Sequence, residues 1–185
     1  CIGHRGLLRV EITTHGESVH VGLDSWHNRT QGVNAVTGLA EILIELERMQ
    51  HPGGTFPGFE QLGFTITPGT IINGGDYASI VPNKASAIVD IRLLPGQEKA
   101  TVLDKIMKII ERVKKDRPGL GTEVEITVDI PGAAIPIDHP LAKIARSYTE
   151  AAYGKPWEIR GAGPGDEGYM LIGAGIPTLC GFGPI

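Results

Sequence analysis

The order of strand-like and helix-like segments is the sequence feature that most constrains the fold of this chain. Segments with apolar residues at every second position indicate half-buried strands, and longer segments with apolar residues at helical spacing indicate amphipathic helices. Between residues 8 and 130 we expect strands at 8–14, 63–72, 85–94 and 123–129, and helices at 34–49 and 99–116. This β-α-β-β-α-β order predicts an α+β fold, a ferredoxin-like two-layer sandwich with both helices on one face of an antiparallel sheet.

The pattern changes after residue 130, where helical and strand-like segments alternate. We expect a helix at 140–153, a short strand at 158–160, a helix at 167–174 and a strand at 178–183. Such alternation is typical of a parallel α/β sheet. A parallel sheet is normally covered on both faces. We therefore expect an incomplete α/β segment that is either less stable than the sandwich or rescued by another copy of the chain.

Charge and composition exclude several classes of protein. The chain has 17 basic and 21 acidic residues and a net charge of −4, which argues against a nucleic-acid partner, since that needs a basic face. Unbroken apolar runs are only a few residues long, so we expect no membrane span. The two cysteines, Cys1 and Cys180, lie at opposite ends of the sequence and do not suggest a disulfide framework. We therefore expect a cytoplasmic protein.

A histidine between glycines follows the first expected strand, in the segment Gly16-Glu17-Ser18-Val19-His20-Val21-Gly22. Glycine adopts backbone angles that other residues avoid, so this segment predicts a tight turn that carries His20 at its tip. Functional residues concentrate on such loops. From spacing alone, a solvated turn histidine is the simpler interpretation.

Three motifs stand in order along the chain: GESVHVG followed by GVNAV, then SIVPNKASAIVDIRLLPG at 79–96, then GPGDEGYMLIGAGIPTLCGFGP at 163–184. Together they resemble the M20 family of zinc-dependent peptidases and amidohydrolases. That family includes acetylornithine deacetylase, succinyl-diaminopimelate desuccinylase, aminoacylase and glutamate carboxypeptidase. The resemblance covers essentially the whole chain.

The resemblance implies a division of the chain. Residues 1–7 correspond to a hinge from a catalytic domain that is missing here, residues 8–130 to a lid and dimerisation domain, and residues 131–185 to part of the C-terminal catalytic segment. Family members bind two metal ions through an upstream His-x-Asp motif, acidic ligands and a histidine near the C-terminus. No His-x-Asp occurs in these 185 residues. We therefore assign no metal ligand or cofactor within the chain, and expect two zinc (or cobalt or manganese) ions in a longer parent enzyme.

The resemblance also implies roles for individual residues. His20 is the catalytic candidate, supplied to the neighbouring subunit to polarise the scissile carbonyl. Arg92, in the DIR motif, is expected to hold a substrate carboxylate through its planar fork. An ordinary ion pair with an acidic neighbour is the alternative for Arg92.

Two further substrate-binding candidates are Ser79 and Gly165. Many family members have asparagine where this chain has Ser79, and a hydroxyl cannot offer the same donor and acceptor pair as an amide. The backbone N–H groups around Gly165 begin a helix and suit an anionic substrate. The neighbouring Asp166 and Glu167 suit a helix N-terminus by charge. Asn34 is expected to cap the first long helix.

The leading hypothesis is the dimerisation and lid portion of an M20-type metallo-amidohydrolase that hydrolyses N-acyl amino acids or small peptides, inactive as this fragment alone. We expect a homodimer formed through an edge strand of the sandwich, at 8–14 or 63–72. The alternative is a stand-alone, non-catalytic dimerisation module, which has no need of His20 and Arg92. An RNA-binding fold is disfavoured because the strands lack stacking aromatics.

Overall fold

The computed structural model describes residues 1–50 and 53–182. Its elements in chain order are β1 (Gly3–His4), β2 (Gly6–His15), α1 (Asp24–His27), α2 (Ala35–Glu47), β3 (Thr65–Gly74), β4 (Lys84–Leu93), α3 (Lys99–Asp116), β5 (Gly121–Ile130), β6 (Ala133–Ala134), α4 (Pro140–Tyr153) and α5 (Gly168–Gly173). None of the helices within these described ranges is long and apolar enough to cross a membrane.

The main sheet has four antiparallel strands in the order β3-β4-β2-β5. With α2 and α3 on one face, this is the strand order of a ferredoxin-like sandwich, so the predicted α+β fold is confirmed. β2 pairs with β4 on one side and with β5 on the other, which leaves β3 and β5 as the edges. The expectation of an edge at 8–14 is therefore wrong, because both sides of β2 are hydrogen-bonded, whereas the edge at 63–72 corresponds to β3.

The core of the sandwich lies between the sheet and the two long helices. Every second residue of β2 and β4 is buried, as the period-2 pattern predicts. The fully buried aliphatic side chains include Leu8, Val10, Ile12, Val89, Ile91, Leu39, Ile42, Leu46, Ile106 and Ile110. The opposite face of the sheet carries polar and charged side chains, among them Arg9, Asp90 and Arg92, which remain partly exposed.

A second, smaller core joins the start of the chain to its last quarter. Its buried members are Ile2, Phe59, Leu94, Ile135 and Ala142. β1 pairs antiparallel with β6, and backbone hydrogen bonds also join it to residues 160–162, such as the 2.8 Å bond from the Ala162 N–H to the Gly3 carbonyl. The Cys180 N–H donates to the Cys1 carbonyl at 2.9 Å. The two cysteines are thus neighbours in space although they are far apart in sequence.

The incomplete α/β segment differs in detail from the prediction. Helix α4 has the expected bounds, and α5 is shorter than expected. The strands expected at 158–160 and 178–183 do not form in the described residues, and Gly183 lies outside them. The physical reason is that a strand needs a continuous ladder partner, and β1 offers only two residues. Residues 160–162 run beside β1 with single hydrogen bonds and no regular ladder.

Candidate functional site

The loop that carries His20 is held at its base by its neighbours. After β2, the Gly16 N–H donates to the Asn83 carbonyl at 2.8 Å, and Glu17 exchanges two backbone hydrogen bonds with Val33, each 2.9 Å long. A side chain at position 16 would collide with the Val33 carbonyl oxygen, so the close approach requires glycine there. The exposed His20 therefore stands on a loop whose base is fixed.

The hydrogen bonding of His20 decides which ring nitrogen is available. Its Nδ1 accepts a hydrogen bond from the Gly22 N–H at 3.0 Å. A ring nitrogen that accepts carries no proton, so the neutral imidazole has its proton on Nε2. Because His20 is exposed, this Nε2–H points to a donor role toward a bound oxygen. That is the chemistry required to stabilise a developing oxyanion.

Ser79 lies next to the His20 loop. The Ser79 carbonyl accepts a hydrogen bond from the Val21 N–H at 2.9 Å, and the backbones of His20 and Ile80 form an isolated antiparallel β-bridge. Both Ser79 and His20 are exposed. The structure thus brings two of the four predicted site residues together.

Arg92 is bound to an acidic neighbour on its own strand. Its Nε lies 2.7 Å from Asp90 Oδ1 and its Nη2 lies 3.3 Å from Oδ2, while Arg9 Nε lies 3.0 Å from the same Oδ2. This is the ion pair considered above as the alternative for Arg92. Burial alone would raise the pKa of Asp90, but the hydrogen bonds from Arg92 and Arg9 outweigh it and hold that pKa below its ordinary value.

Gly165 lies at the same end of the sheet as Arg92. A Cβ at Gly165 would be 3.5 Å from His4 Nδ1 and 3.7 Å from the Arg5 carbonyl oxygen. The guanidinium of Arg5 donates to the Gly63 carbonyl at 3.1 Å. Burial, followed by the charge of Arg92, lowers the pKa of Arg5. Cationic side chains therefore crowd this end of the sheet.

The strand register separates the candidates into two groups. Arg92 pairs with Leu7 at one end of the β2–β4 ladder, and Lys84 pairs with His15 at the other end. Eight residues at about 3.4 Å each put about 27 Å between these ends. His20 and Ser79 follow the His15 end, whereas Arg92 and Gly165 belong to the Leu7 end. A single chain therefore does not bring His20 and Arg92 to one small ligand.

A largely apolar cavity of about 560 Å³ lies beside α4. It is lined by side chains that include Ile2, Tyr148, Trp157, Ile159 and Phe182. None of the four predicted site residues lines this cavity. It is therefore separate from the His20 loop.

One cluster was not foreseen from the sequence. His4, Asp166 and Cys180 each place a potential ligand atom within 4.8 Å of the other two. Burial, together with the adjacent Asp166 carboxylate, raises the pKa of the Cys180 thiol to about 12. Their positions along the chain show no ligand spacing, so only the packing of β1 against the last quarter of the chain reveals them.

Comparison with known proteins shows the family of this chain. Residues 2–118 match the model of the M20 peptidase dimerisation domain. The chain belongs to this family. It is 30% identical over 142 residues to a probable carboxypeptidase of Ajellomyces capsulatus, a match that covers 74% of this chain and 30% of that protein. It is 28% identical over 149 residues to acetylornithine deacetylase of Yersinia pseudotuberculosis, covering 76% of this chain and 36% of that protein.

Solved structures of other proteins share the fold. Aminopeptidase PepT from Bacillus cereus matches with a TM-score of 0.72 and 20% identity, over 95% of this chain and 43% of that one. The Bacillus subtilis YXEP protein, described as a dinuclear metal-binding peptidase of the M20 family, matches with a TM-score of 0.60 and 15% identity over 94% of this chain and 39% of that one. The match thus spans about a third of the length of the two curated relatives named above and about two fifths of these two solved structures.

Proposed function

We propose that this chain is the lid and dimerisation portion of an M20-type metallo-amidohydrolase that hydrolyses N-acyl amino acids or small peptides in the cytoplasm. In this proposal residues 1–7 are the hinge, 8–130 the lid and 131–185 part of the catalytic domain. Membership of the dimerisation-domain family and relatives named as peptidases and a deacetylase support it. The two cysteines, both free thiols, agree with a reducing compartment.

The observation that carries the proposal is the hydrogen bond from the Gly22 N–H to His20 Nδ1. Because Nδ1 accepts from the Gly22 N–H, the exposed Nε2–H is a hydrogen-bond donor on a loop with a fixed base. A donor of this kind, aimed at the carbonyl oxygen of the amide, stabilises the negative charge that develops there.

The separation of the two ends of the sheet supports a role for His20 across a dimer. In one chain, about 27 Å lies between the end that leads to His20 and the end that carries Arg92. A small substrate cannot span that distance. If Arg92 and the N–H groups at Gly165 hold the substrate of their own subunit, the His20 that reaches it comes from the partner subunit.

Arg92 and Ser79 have subsidiary roles in this proposal. Arg92, already turned toward Asp90, would bind the carboxylate of the amino-acid part of the substrate, with Asp90 fixing its side chain. Ser79 would contact the substrate beside His20, through a shorter side chain than the asparagine of many family members. The competing interpretation is that Arg92 only forms a structural ion pair with Asp90. A non-catalytic dimerisation module needs no more than this pair, whereas the enzyme also needs Arg92 to bind substrate.

The metal ions of such an enzyme require more ligands than the described residues bring together. The one group of three potential ligands found within 1–50 and 53–182 consists of His4, Asp166 and Cys180. Two ions with about three protein ligands each need a larger donor set. We therefore assign the pair of zinc, cobalt or manganese ions to residues outside this chain, and derive no step through them.

The decisive experiment mixes two variants of a full-length enzyme that contains this chain. One subunit carries His20→Ala and the other carries Arg92→Ala. If His20 acts on the partner's site and Arg92 on its own, each mixed dimer has one site with both residues intact, and activity returns on mixing. The activity of each unmixed variant provides the baseline, and exchange of differently tagged subunits is verified by pull-down.

The outcomes separate the hypotheses. No recovery despite subunit exchange contradicts the division of roles between subunits. Full activity of both unmixed variants contradicts a catalytic role of His20 and a substrate-binding role of Arg92. For His20→Ala alone we expect kcat to fall by roughly 10²–10³, with little change in KM, as for the loss of one oxyanion donor.

A further inference from the structure

His4, Asp166 and Cys180 meet at the junction of β1 with the last quarter of the chain. His4 is completely buried, Cys180 is 2% exposed, and the side chain of Asp166 is 32% exposed. His4 Nε2 lies 3.7 Å from Asp166 Oδ1, too far for a hydrogen bond. The three donor atoms all lie within 4.8 Å of one another. The cluster is thus enclosed on two sides and open to solvent on the carboxylate side.

The hydrogen bonding of His4 leaves a lone pair directed at this cluster. His4 Nδ1 lies 2.9 Å from the Arg5 carbonyl oxygen, which can only accept, so Nδ1 carries the ring proton. In the neutral ring Nε2 is then an unprotonated acceptor. Among the described residues Nε2 has no hydrogen-bond partner although it is buried. A metal-binding histidine is typically oriented in this way by a carbonyl behind its other nitrogen.

A lone pair and a carboxylate oxygen that face each other repel unless a cation lies between them. A proton on Nε2 is one such cation, and a metal ion is the other. The backbone contact of Asp166 does not remove the conflict, because its Oδ1 accepts from the Gly168 N–H at 2.8 Å and still lies 3.7 Å from His4 Nε2. The presence of a third donor atom, the Cys180 sulphur, distinguishes this cluster from a simple histidine–carboxylate pair.

The space beside the cluster depends on a glycine. A Cβ at Gly168 would lie 2.5 Å from the Cys180 Sγ and 2.7 Å from Asp166 Oδ1. Zinc bonds of about 2.0–2.3 Å place neighbouring ligand atoms about 3.3–3.8 Å apart. The 3.7 Å between His4 Nε2 and Asp166 Oδ1 already meets that requirement. No pair in the cluster has to close by more than about 1 Å.

We propose that His4 Nε2, an Asp166 carboxylate oxygen and Cys180 Sγ bind a single divalent transition-metal ion, with Zn²⁺ as the best match. Nitrogen, oxygen and sulphur donors together suit zinc, whereas magnesium and calcium prefer oxygen alone. On binding, the Cys180 thiol gives its proton to solvent and the thiolate becomes a ligand. Three protein ligands leave the fourth position open. The proposal is independent of the hydrolytic function.

The test uses the 185-residue chain, stripped of metal and titrated with Co²⁺ under reducing conditions. We expect one equivalent of Co²⁺ to produce a thiolate-to-cobalt charge-transfer absorption in the near ultraviolet, and Zn²⁺ to abolish it by displacement. Cys180→Ser and Asp166→Asn should each weaken binding by at least about 100-fold. Asp166→Asn keeps an oxygen that accepts from the Gly168 N–H, which preserves the local fold.

Two controls make the result specific. Cys1→Ser removes the other thiol of the chain and should leave the absorption unchanged. Gly168→Ala keeps all three ligands but fills the space beside two of them, so it should also abolish binding. Far-ultraviolet circular dichroism verifies that each variant is folded.

Alkylation of the wild-type chain gives a second readout, which needs no folded variant. In a denaturant concentration at which Cys180 is exposed only by transient opening, a maleimide labels it slowly. Bound Zn²⁺ should slow this labelling further. Peptide mass spectrometry identifies which cysteine is labelled. Each of three results would overturn the proposal. The first is no charge-transfer absorption, and the second is an absorption that is lost in Cys1→Ser but kept in Cys180→Ser. The third is a rate of Cys180 labelling that Zn²⁺ does not change. The His4–Asp166 contact would then be an ordinary pair joined by a proton.

Discussion

At the scale of single residues, two histidines of this chain are set up for opposite chemistry by one backbone contact each. His20 accepts the Gly22 N–H on Nδ1, which leaves Nε2 as a donor. His4 directs Nδ1 to the Arg5 carbonyl, which leaves Nε2 as an acceptor. The first suits an oxyanion and the second suits a cation. Neither assignment follows from residue type, because it depends on which backbone atom the ring meets.

The Asp90 carboxylate predicts a measurable dependence of stability on pH. Its folded pKa is lowered by Arg92 and Arg9, so the stabilisation is present above its unfolded pKa of about 3.9 and is lost as pH falls toward the folded value. Asp90→Asn should lower the free energy of unfolding at pH 7 by about 1.5–3 kcal/mol, since bonds to charged partners are lost. In urea unfolding the difference from wild type should shrink below pH 4.

The control for Asp90→Asn is Glu125→Gln on β5. The carboxylate of Glu125 is exposed and forms no ion pair within the described residues. This substitution should change stability by less than about 0.5 kcal/mol. Equal losses in both variants, or a difference for Asp90→Asn that does not decrease as the pH falls below the unfolded pKa of Asp90, would show that the two arginines do not stabilise the carboxylate.

The substrate role of Arg92 is a separate prediction about the full-length enzyme. Arg92→Ala should chiefly raise KM for substrates with a free carboxylate, and much less for the corresponding amides, because the guanidinium fork recognises the carboxylate. Steady-state kinetics on matched acid and amide substrates measure this. An equal rise for both would leave only the structural pair with Asp90.

At the scale of elements, the start of α2 shows a local rule that works. Asn34 Oδ1 accepts a hydrogen bond from the Thr37 N–H at 3.0 Å, which confirms the predicted N-cap. Asn34→Ala should lower the free energy of unfolding by about 1 kcal/mol, while Asn34→Asp, which keeps the accepting oxygen, should change it little. Denaturant unfolding of both variants tests this, and similar losses would rule out capping as the cause.

Elements defined by local patterns were predictable, and those defined by distant partners were not. The helices α3 and α4 have the expected bounds because their apolar spacing and end signals lie within the segment itself. The absent strands at 158–160 and 178–183 depend on which ladder the rest of the chain offers. The same distinction applies to the sites. Asp90 and Arg92 share a face of β4 by period 2, whereas the His4 cluster joins residues from opposite ends of the chain.

At the scale of the whole molecule, β3 is the edge we expect to join two copies. Pro68 and a bulge interrupt its first half, but Ile71 and Ile72 are 58% and 59% exposed, and no charged residue occurs in Thr65–Gly74. Charged side chains on an edge strand usually prevent it from pairing with the edge of another sheet. The other edge, β5, carries three such residues, Glu123, Glu125 and Asp129. The uncharged edge therefore predicts a homodimer that pairs through β3.

Two matched substitutions test this interface by sedimentation at micromolar concentration. Ile72→Lys should convert the dimer to a monomer, because it places a charge on the pairing edge. Ile126→Lys, on β5, should leave the dimer intact although Ile126 is also exposed, at 41%. A monomeric wild type across the concentration range, or equal dissociation of both variants, would contradict pairing through β3.

The hydrogen bonds of β1 also determine the order in which this molecule can fold as it is synthesised. Every element of the sandwich lies within residues 6–130, so that layer can form while the rest of the chain is still being synthesised. Ile2 and His4 are synthesised before the sandwich, yet the backbone groups around Arg160 and Cys180 that enclose them are synthesised after it. Residues that precede the sandwich in the sequence are thus buried only after the whole sandwich has been synthesised.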